Sequence, residues 1–255
     1  MRKAILACFC ACALGTAAEV PYAGAWKINY AKSNFGDTTV TYEQLAGGAM
    51  KATMDGQSYT FQTDGKDTMT PWGMTVAWKA VDARTWQTTE KVKGQVTATG
   101  TLKLSADGQQ LSFEATRRKT DGGSSQESVT YQRVSGGPGL AGLWKTKNLK
   151  SSSPETLTLT PKGADGLTVG FGNAGAACDA RFDGKDYPAT GDIFPAGWTC
   201  QVARQGERGF GLTWKKDGKA MYQSTMQVSA DGKALTETGS AVGVSEKVVA
   251  VYDRQ

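Results

Sequence analysis

Asp64-Gly65-Lys66-Asp67 recurs in the second half of the chain as Asp183-Gly184-Lys185-Asp186. Both copies lie among short runs of alternating apolar and polar residues, where Asp-Gly pairs are typical of tight turns with positive φ at glycine. The residues around the two copies also recur in the same order, about 120 positions apart, as in an internal repeat with small loop insertions. The repeated turn therefore indicates a chain built from two similar halves.

Three further landmarks match between the halves. Gly24-Ala25-Trp26-Lys27 corresponds to Gly142-Leu143-Trp144-Lys145, Ser105-Ala106-Asp107-Gly108 to Ser229-Ala230-Asp231-Gly232, and Tyr131-Gln132-Arg133 to Tyr252-Asp253-Arg254. The glycine-rich run over 135–139 has no hydrophobic period and reads as a linker. We therefore expect one domain over residues 19–135 and a second over residues 140–255, related by tandem duplication.

The hydrophobic pattern within each half has the period of two that is typical of β-strands. Thr39–Tyr42, Leu111–Ala115 and Phe210–Trp214 alternate in this way, and Val248–Tyr252 is an apolar run at the end of the chain. Turn signals every 8–12 residues predict about eight to ten strands in each half. Because closure removes the exposed edges of such a sheet, we expect an all-β fold of two tandem antiparallel β-barrels.

Each half opens with a Gly-x-Trp motif and ends with an arginine. If the first and last strands of one half are neighbours, Trp26 lies under Arg133 and Trp144 lies under Arg254. A desolvated guanidinium over an indole ring contributes ~1–2 kcal/mol, and the pair would close one end of the barrel. The alternative is a core tryptophan and an unrelated surface arginine. The recurrence of the combination in both halves favours the closed end.

A Gly-x-Trp on the first strand with a basic residue on the last resembles the calycin signature, which lipocalins, fatty-acid-binding proteins and avidins share. Residues 24–35 and the turn Asp183–Pro188 are also similar to exported lipocalin-like bacterial proteins of unassigned function. The first half departs from that turn, with Thr68-Met69 in the place of Tyr-Pro. The resemblance implies a lipocalin-like barrel more than it implies an activity.

Residues 1–18 are predicted to be a signal peptide. A basic pair at 2–3 precedes an apolar run over 4–14 and a small-residue cleavage site over 16–18. A lipoprotein is the alternative, but it would leave an apolar region of only a few residues before the modified Cys8, Cys10 or Cys12. No apolar run reaches the ~20 residues that span a bilayer. The sequence thus predicts an exported protein, periplasmic or secreted, without a membrane span.

Cys178 and Cys200 are the two cysteines beyond the predicted signal peptide. An even pair in an oxidising compartment is typical of a disulfide, whereas free thiols would be expected in a reducing cytosol. The bond would close the base of the loop over 183–197 and stabilise the fold by about 3 kcal/mol. The two cysteines lack the C-x-x-C spacing of a redox pair, so we interpret the bond as structural.

The chain contains no histidine, which excludes Ser-His-Asp triads, Cys-His dyads and histidine-ligated metals. The Asp-Gly-Lys-Asp turns do not have the spacing of a calcium loop. We read them as turns in which aspartate accepts hydrogen bonds from the backbone. The sequence therefore predicts no catalytic residue, no metal and no cofactor, and an enzyme that relied on Asp, Glu, Lys or Tyr is the third-ranked function.

The positive charge of the chain is small and scattered. It has 29 basic and 24 acidic residues, a net charge of +5 that falls when Arg2 and Lys3 leave with the signal peptide. We interpret the runs Arg117-Arg118-Lys119 and Lys215-Lys216 as solvated strand ends. Without a clustered basic stripe, no nucleic-acid partner is predicted.

The tryptophans after the two turns are the candidate ligand-binding residues. Trp72 and Trp198 follow the Asp-Gly-Lys-Asp copies where a loop enters a strand, which places them at a barrel mouth. Inward side chains either fill a small barrel or line a cavity, and filling is the commoner outcome for such short repeats. The leading function is binding of a small apolar or amphipathic ligand; the alternative is a structural or protein-interaction module with filled barrels. Neither the ligand nor an oligomeric state is specified by the pattern.

Overall fold

The computed structural model describes residues 20–35, 38–152, 155–172, 175–191 and 194–255. The predicted signal peptide and its three cysteines lie outside the described residues. Within these ranges the chain forms antiparallel β-structure, with one short 3-10 turn at Ala46–Gly48. The described residues contain no helix that is long and apolar enough to cross a membrane.

Twenty strands follow one another along the described part of the chain. The first ten are β1 (Gly24–Ile28), β2 (Thr39–Gln44), β3 (Met50–Met54), β4 (Gln57–Phe61), β5 (Asp64–Met69), β6 (Thr75–Asp82), β7 (Thr85–Val92), β8 (Gln95–Leu104), β9 (Gln110–Arg118) and β10 (Ser124–Ser135). The second ten are β11 (Gly142–Ser151), β12 (Thr156–Lys162), β13 (Gly166–Phe171), β14 (Ala176–Arg181), β15 (Tyr187–Thr190), β16 (Trp198–Arg204), β17 (Gly209–Lys216), β18 (Lys219–Val228), β19 (Ala234–Ala241) and β20 (Val248–Arg254).

The strands form two ten-stranded antiparallel sheets. Barrel 1 consists of β2 to β11, in the order β4-β3-β2-β11-β10-β9-β8-β7-β6-β5. It is nearly closed, with a seam between the two edge strands, β4 and β5. Barrel 2 consists of β1 and β12 to β20, which form a closed ring. The predicted all-β fold with two antiparallel barrels is confirmed.

The first strand of each half pairs with strands of the other half. β1 lies between β12 and β20, and β11 lies between β2 and β10. The chain leaves β1 at the end of barrel 2 that faces barrel 1, so the next strand, β2, begins across the junction. Barrel 1 is therefore one continuous stretch, whereas barrel 2 combines the N-terminal strand with the C-terminal part of the chain.

A tryptophan under an arginine closes the outer end of each barrel. The Arg254 Cζ lies 4.1 Å from the centroid of the Trp26 ring, and the Arg133 Cζ lies 4.1 Å from that of Trp144. The expected pairing of Trp26 with Arg133 and of Trp144 with Arg254 is therefore wrong in its partners, because β1 and β11 have exchanged places. The closed ends themselves are present in both barrels.

Glycine precedes each of these tryptophans because the arginine approaches the backbone closely. Gly24 and Gly142 have φ of +128° and +149°. A Cβ would lie 3.0 Å from the Arg254 Nη1 at Gly24 and 2.8 Å from the Arg133 Nη1 at Gly142. The indole Nε1 of Trp26 donates to the Tyr22 carbonyl, and that of Trp144 to the Leu140 carbonyl, each at 2.9 Å.

The inner ends of the barrels face each other. Trp198 Nε1 of barrel 2 donates to the Trp72 carbonyl of barrel 1 at 2.9 Å, and Lys93 Nζ of barrel 1 donates to the Gly191 carbonyl at 3.2 Å. Thr120 Oγ1 in the β9–β10 hairpin donates to the Gly172 carbonyl at 3.4 Å. Both barrel mouths thus open onto a shared junction.

The second Asp-Gly-Lys-Asp copy is a turn, as predicted, whereas the four residues of the first copy lie in β5. In both copies the first aspartate accepts a hydrogen bond from the backbone, as predicted. Lys66 N donates to Asp64 Oδ1 at 3.0 Å and Lys185 N donates to Asp183 Oδ1 at 3.1 Å. Gly65 and Gly184 have φ of +86° and +76°. The first copy begins β5 as a bulge opposite β6, and the second precedes β15.

Candidate functional site

Trp72 and Trp198, the predicted ligand-binding residues, lie together at the junction of the barrels. Both line a cleft of about 370 Å³, which we call the junction cleft. Its walls come from β2, the β3–β4 hairpin and Trp72 of barrel 1, and from Trp198, β18 and the β19–β20 loop of barrel 2. The structure therefore brings the two tryptophans into one site, and their binding of a ligand stays a prediction.

Two carboxylates line the junction cleft. Asp55 is at the tip of the β3–β4 hairpin with φ of +51°, followed by Gly56 at +68°, and Glu246 is in the β19–β20 loop. Among the described residues that line the cleft there is no lysine or arginine. The protein around Asp55 desolvates its carboxyl group and raises the pKa. Within the described ranges, no donor reaches that carboxylate with a hydrogen bond.

A second cavity of about 310 Å³ lies inside barrel 1. Its walls are mainly aromatic and aliphatic, and include Tyr42, Val76, Trp78, Leu102, Phe113 and Val129. Trp78 stacks on Phe61 with ring centroids 4.5 Å apart, and Tyr42 meets Trp78 edge-on at 5.8 Å. These ring contacts hold the apolar wall of the cavity in place. Filling was the expected outcome for the barrels, and for barrel 1 that expectation is wrong.

One arginine and two glutamates form a polar group at this cavity, which we call the Arg117 triad. Arg117 Nη1 lies 2.8 Å from Glu90 Oε2, and Arg117 Nε lies 2.5 Å from Glu127 Oε2. Burial opposes the charge on Arg117, but the two carboxylates outweigh it and raise the pKa of the guanidinium. Arg117 was expected to be a solvated strand end; it lines the cavity instead, because it continues the inward period of Phe113 and Ala115.

Neutral hydroxyl groups complete the polar part of the barrel 1 cavity. Burial raises the pKa of Tyr59 to about 12 and that of Tyr131 to about 12. Both phenols are therefore protonated at neutral pH and can donate hydrogen bonds. Tyr59 already accepts a hydrogen bond from Trp78 Nε1 at 3.3 Å.

A third cavity of about 300 Å³ shares the Arg117 triad and Met74 with the cavity in barrel 1. It adds Arg118, Lys119 and Glu155, so its charges are nearly balanced. The triad is therefore reached from two sides, one with aromatic walls and one with additional charged residues.

Barrel 2 has a packed interior. On β17 the inward residues are Phe210, Leu212 and Trp214, whereas β7 presents Trp86, Thr88 and Glu90 inward in barrel 1. Trp214 contacts Phe171 and Phe194, with ring centroids 5.7 and 6.2 Å apart. The larger apolar side chains on β17 therefore occupy the space that barrel 1 leaves as a cavity.

The predicted disulfide between Cys178 and Cys200 is present. It joins β14 to β16 across β15, and both cysteines are fully buried in the core of barrel 2. The sulfur atoms fill space in the packed barrel as well as crosslinking it. This placement agrees with a structural bond at the base of the loop that carries Trp198.

Asp55, Glu90, Arg117 and Glu127 are the site residues that sequence reasoning missed. A signal was available for the last three, since each is a charged residue at an inward position of an alternating strand. Asp55 could be recognised as a turn residue, but its place at the junction depends on how the barrels meet.

Comparison of the chain with family models, with curated proteins and with solved structures finds no match. The geometry of the junction cleft and of the barrel 1 cavity therefore carries the functional argument.

Proposed function

We propose that this chain is an exported lipocalin-like protein that binds a small amphipathic ligand in the barrel 1 cavity. The observation that carries the proposal is the contrast between the barrels. Barrel 1 has a cavity of about 310 Å³ with aromatic walls and the Arg117 triad, whereas barrel 2 is packed. Ligand sites are usually concave, mainly apolar and furnished with a few convergent polar groups.

The lipocalin-like origin and the tandem duplication belong to the same proposal. Both barrels have ten strands, and both close one end with a Gly-x-Trp strand under an arginine. Export is supported by the sequence of residues 1–18 and by the disulfide, which is typical of oxidising compartments.

The proposed activity is binding without catalysis. Glu90 and Glu127 both form ion pairs with Arg117, at 2.8 and 2.5 Å, so both carboxylates are engaged by the protein itself. In this proposal barrel 2 acts as a rigid support that positions Trp198 at the junction. The alternative function, a structural module with a filled barrel, then describes barrel 2 alone.

Filling the cavity tests the proposal. Thr88 and Val129 line it and are buried, so Thr88→Leu with Val129→Phe should occupy its volume. We expect binding of the neutral dye Nile red, followed by its fluorescence, to weaken at least tenfold. Thr89→Leu is the matched control, because Thr89 is adjacent on β7 but alternates with Thr88 and does not line the cavity.

The filled variant must remain folded for the comparison to hold. Overpacking a core costs about 1–3 kcal/mol, so its thermal unfolding is measured beside that of the control. Unchanged dye affinity in a folded Thr88→Leu/Val129→Phe variant would show that the ligand does not enter barrel 1.

A further inference from the structure

The junction cleft and the barrel 1 cavity meet at Asp55. Both are lined by Met54, Asp55 and Trp72, so a molecule that extends from one into the other passes these three residues. Asp55 is held there by the tight β3–β4 hairpin, in which it and Gly56 both have positive φ. The hairpin therefore fixes the backbone of Asp55 at the rim of the passage.

The charge along this passage is opposite in sign to that of the chain. The chain as a whole carries a net charge of +5. Among the described lining residues, the junction cleft has Asp55 and Glu246 with no basic partner, and the barrel 1 cavity adds Glu90 and Glu127 against Arg117 alone. An acidic passage in a basic protein attracts cations and repels anions.

Asp55 is the carboxylate in this passage that is free to pair with a ligand. Glu90 and Glu127 are engaged by Arg117, and Glu246 accepts a hydrogen bond from Ser245 Oγ at 3.0 Å. No described residue donates a hydrogen bond to Asp55, which is exposed at the rim of the cleft. An unpaired carboxylate at the rim of a cleft can form a charge-assisted contact with a cationic ligand.

The aromatic side chains beside Asp55 have the chemistry that organic cations prefer. Trp72 and Trp198 line the same cleft, and Tyr222 lies there too. Indole and phenol rings attract alkylammonium groups through their electron-rich faces, most strongly when the site is shielded from water. A metal ion is a poorer fit, since the described residues contain no group of three or more acidic or cysteine ligands.

Building on the proposed function, we propose that the ligand is an organic cation. Its ammonium group lies in the junction cleft against Asp55, beside Trp72 and Trp198, and its apolar part extends into barrel 1. The site thus belongs to both barrels: barrel 2 contributes part of the head-group cleft, and barrel 1 contains the tail.

Probes of one chain length and different charge test this inference. Decyltrimethylammonium, decan-1-ol and decyl sulfate are titrated into the full-length mature protein below their micelle concentrations, and tryptophan fluorescence is recorded. We expect the cation to bind at least tenfold more tightly than the alcohol and the sulfate to bind most weakly. The preference arises because only the cation pairs with the carboxylate.

Asp55→Asn removes the charge and keeps the turn. Asparagine tolerates positive φ, and Asn-Gly is a favoured hairpin turn, so β3 and β4 should remain paired. This variant is expected to lose the preference for the cation while its affinity for decan-1-ol stays the same. Asp231→Asn is the control, because Asp231 lies in the turn before Gly232 at the outer end of barrel 2, where Arg254 Nε donates to the Gly232 carbonyl, and does not line the cleft.

The possible outcomes separate this inference from the proposed function. If decan-1-ol and decyl sulfate bind as tightly as the cation, or if Asp55→Asn keeps the preference, the ligand is not a cation held by Asp55 and the cavity proposal stands. If none of the three probes binds the wild-type protein, both proposals fail.

Discussion

Arg254 ties together several parts of barrel 2 through one guanidinium group. Its Cζ lies over the Trp26 ring, and its nitrogen atoms donate to the carbonyls of Pro21, Ala23 and Gly232 at 2.5–2.8 Å. Arg133 makes the corresponding contacts in barrel 1, over Trp144. The arginine therefore satisfies backbone carbonyls in addition to covering the indole.

A double-mutant cycle tests whether Trp26 pairs with Arg254, as in the structure, or with Arg133 of its own half. Arg254→Met should lower the free energy of unfolding by about 1–3 kcal/mol, since it removes a cation–π contact and several charged hydrogen bonds. With Trp26→Phe it should show a coupling energy of about 1 kcal/mol, whereas Arg133→Met and Trp26→Phe should be additive within ~0.5 kcal/mol. Urea denaturation supplies all the values. Coupling of Trp26 to Arg133 instead would place β1 in barrel 1.

The second aspartate of each Asp-Gly-Lys-Asp copy has a partner that its turn role alone does not predict. Lys91 Nζ lies 2.8 Å from Asp67 Oδ2, and Lys215 Nζ lies 2.7 Å from Asp186 Oδ1. In both barrels the ion pair joins the turn region to the second strand beyond it. Partly exposed ion pairs of this kind contribute about 0–1 kcal/mol to stability. Their main effect is therefore to favour one alignment of the turn with the neighbouring strands.

At the scale of elements, the strand exchange decides which part of the chain is self-sufficient. Residues 39–151 contain every strand of barrel 1, and β11 pairs with both β2 and β10. A chain that ends at 135 lacks β11. Its own β1 has the same Gly-x-Trp motif and could move into the vacant place, but it is five residues long against ten in β11.

Three fragments test this consequence. We expect residues 38–152 to fold cooperatively, residues 19–135 to be less stable by several kcal/mol, and residues 38–135 to remain unfolded, because each step removes ladder hydrogen bonds and core contacts. Circular dichroism and urea midpoints rank them. A fragment 19–135 as stable as 38–152 would show that β1 serves barrel 1 equally well.

The strands and turns could be predicted from the sequence, and the partner of β1 could not. Alternation and Asp-Gly pairs specify local backbone conformation, and the Trp–Arg combination specifies a closed end. The Gly-x-Trp motifs of β1 and β11 are almost identical, so the motif alone does not decide which barrel each strand joins. The choice shows only in the long-range pairing of β1 with β12 and β20, which has no local signature in the sequence.

The cavity was within reach of the sequence only by comparing the halves position by position. Thr88 and Glu90 stand in barrel 1 where Leu212 and Trp214 stand in barrel 2. This difference in volume leaves one barrel hollow, and it is visible once the strands are aligned. The junction cleft, by contrast, depends on the mouth-to-mouth packing of the barrels, which no pattern within one strand encodes.

At the scale of the whole molecule, the two barrels depend on each other unequally. Barrel 2 needs β1, which is separated from β12 by roughly 130 residues, and closing so long a loop costs conformational entropy. Once barrel 1 has folded, the distance to be closed is much shorter. Thr39 pairs with Lys145 in β11, so the two ends of barrel 1 lie about 20 Å apart, six residues along a strand.

Folding of barrel 1 should therefore precede closure of barrel 2. A preformed barrel 1 lowers the entropy cost of pairing β1 with β12 by about 1–2 kcal/mol, a factor of roughly 5–30 in rate if closure limits folding. Pulsed hydrogen exchange during refolding, with the disulfide intact, should show protection in β2 to β11 before protection in β1. A destabilising substitution in barrel 1, such as Leu111→Ala, should delay protection of β1, whereas Leu235→Ala in barrel 2 should leave the rate of barrel 1 unchanged. Protection of β1 that appears first, or at the same time as β2, would mean that the two barrels close independently.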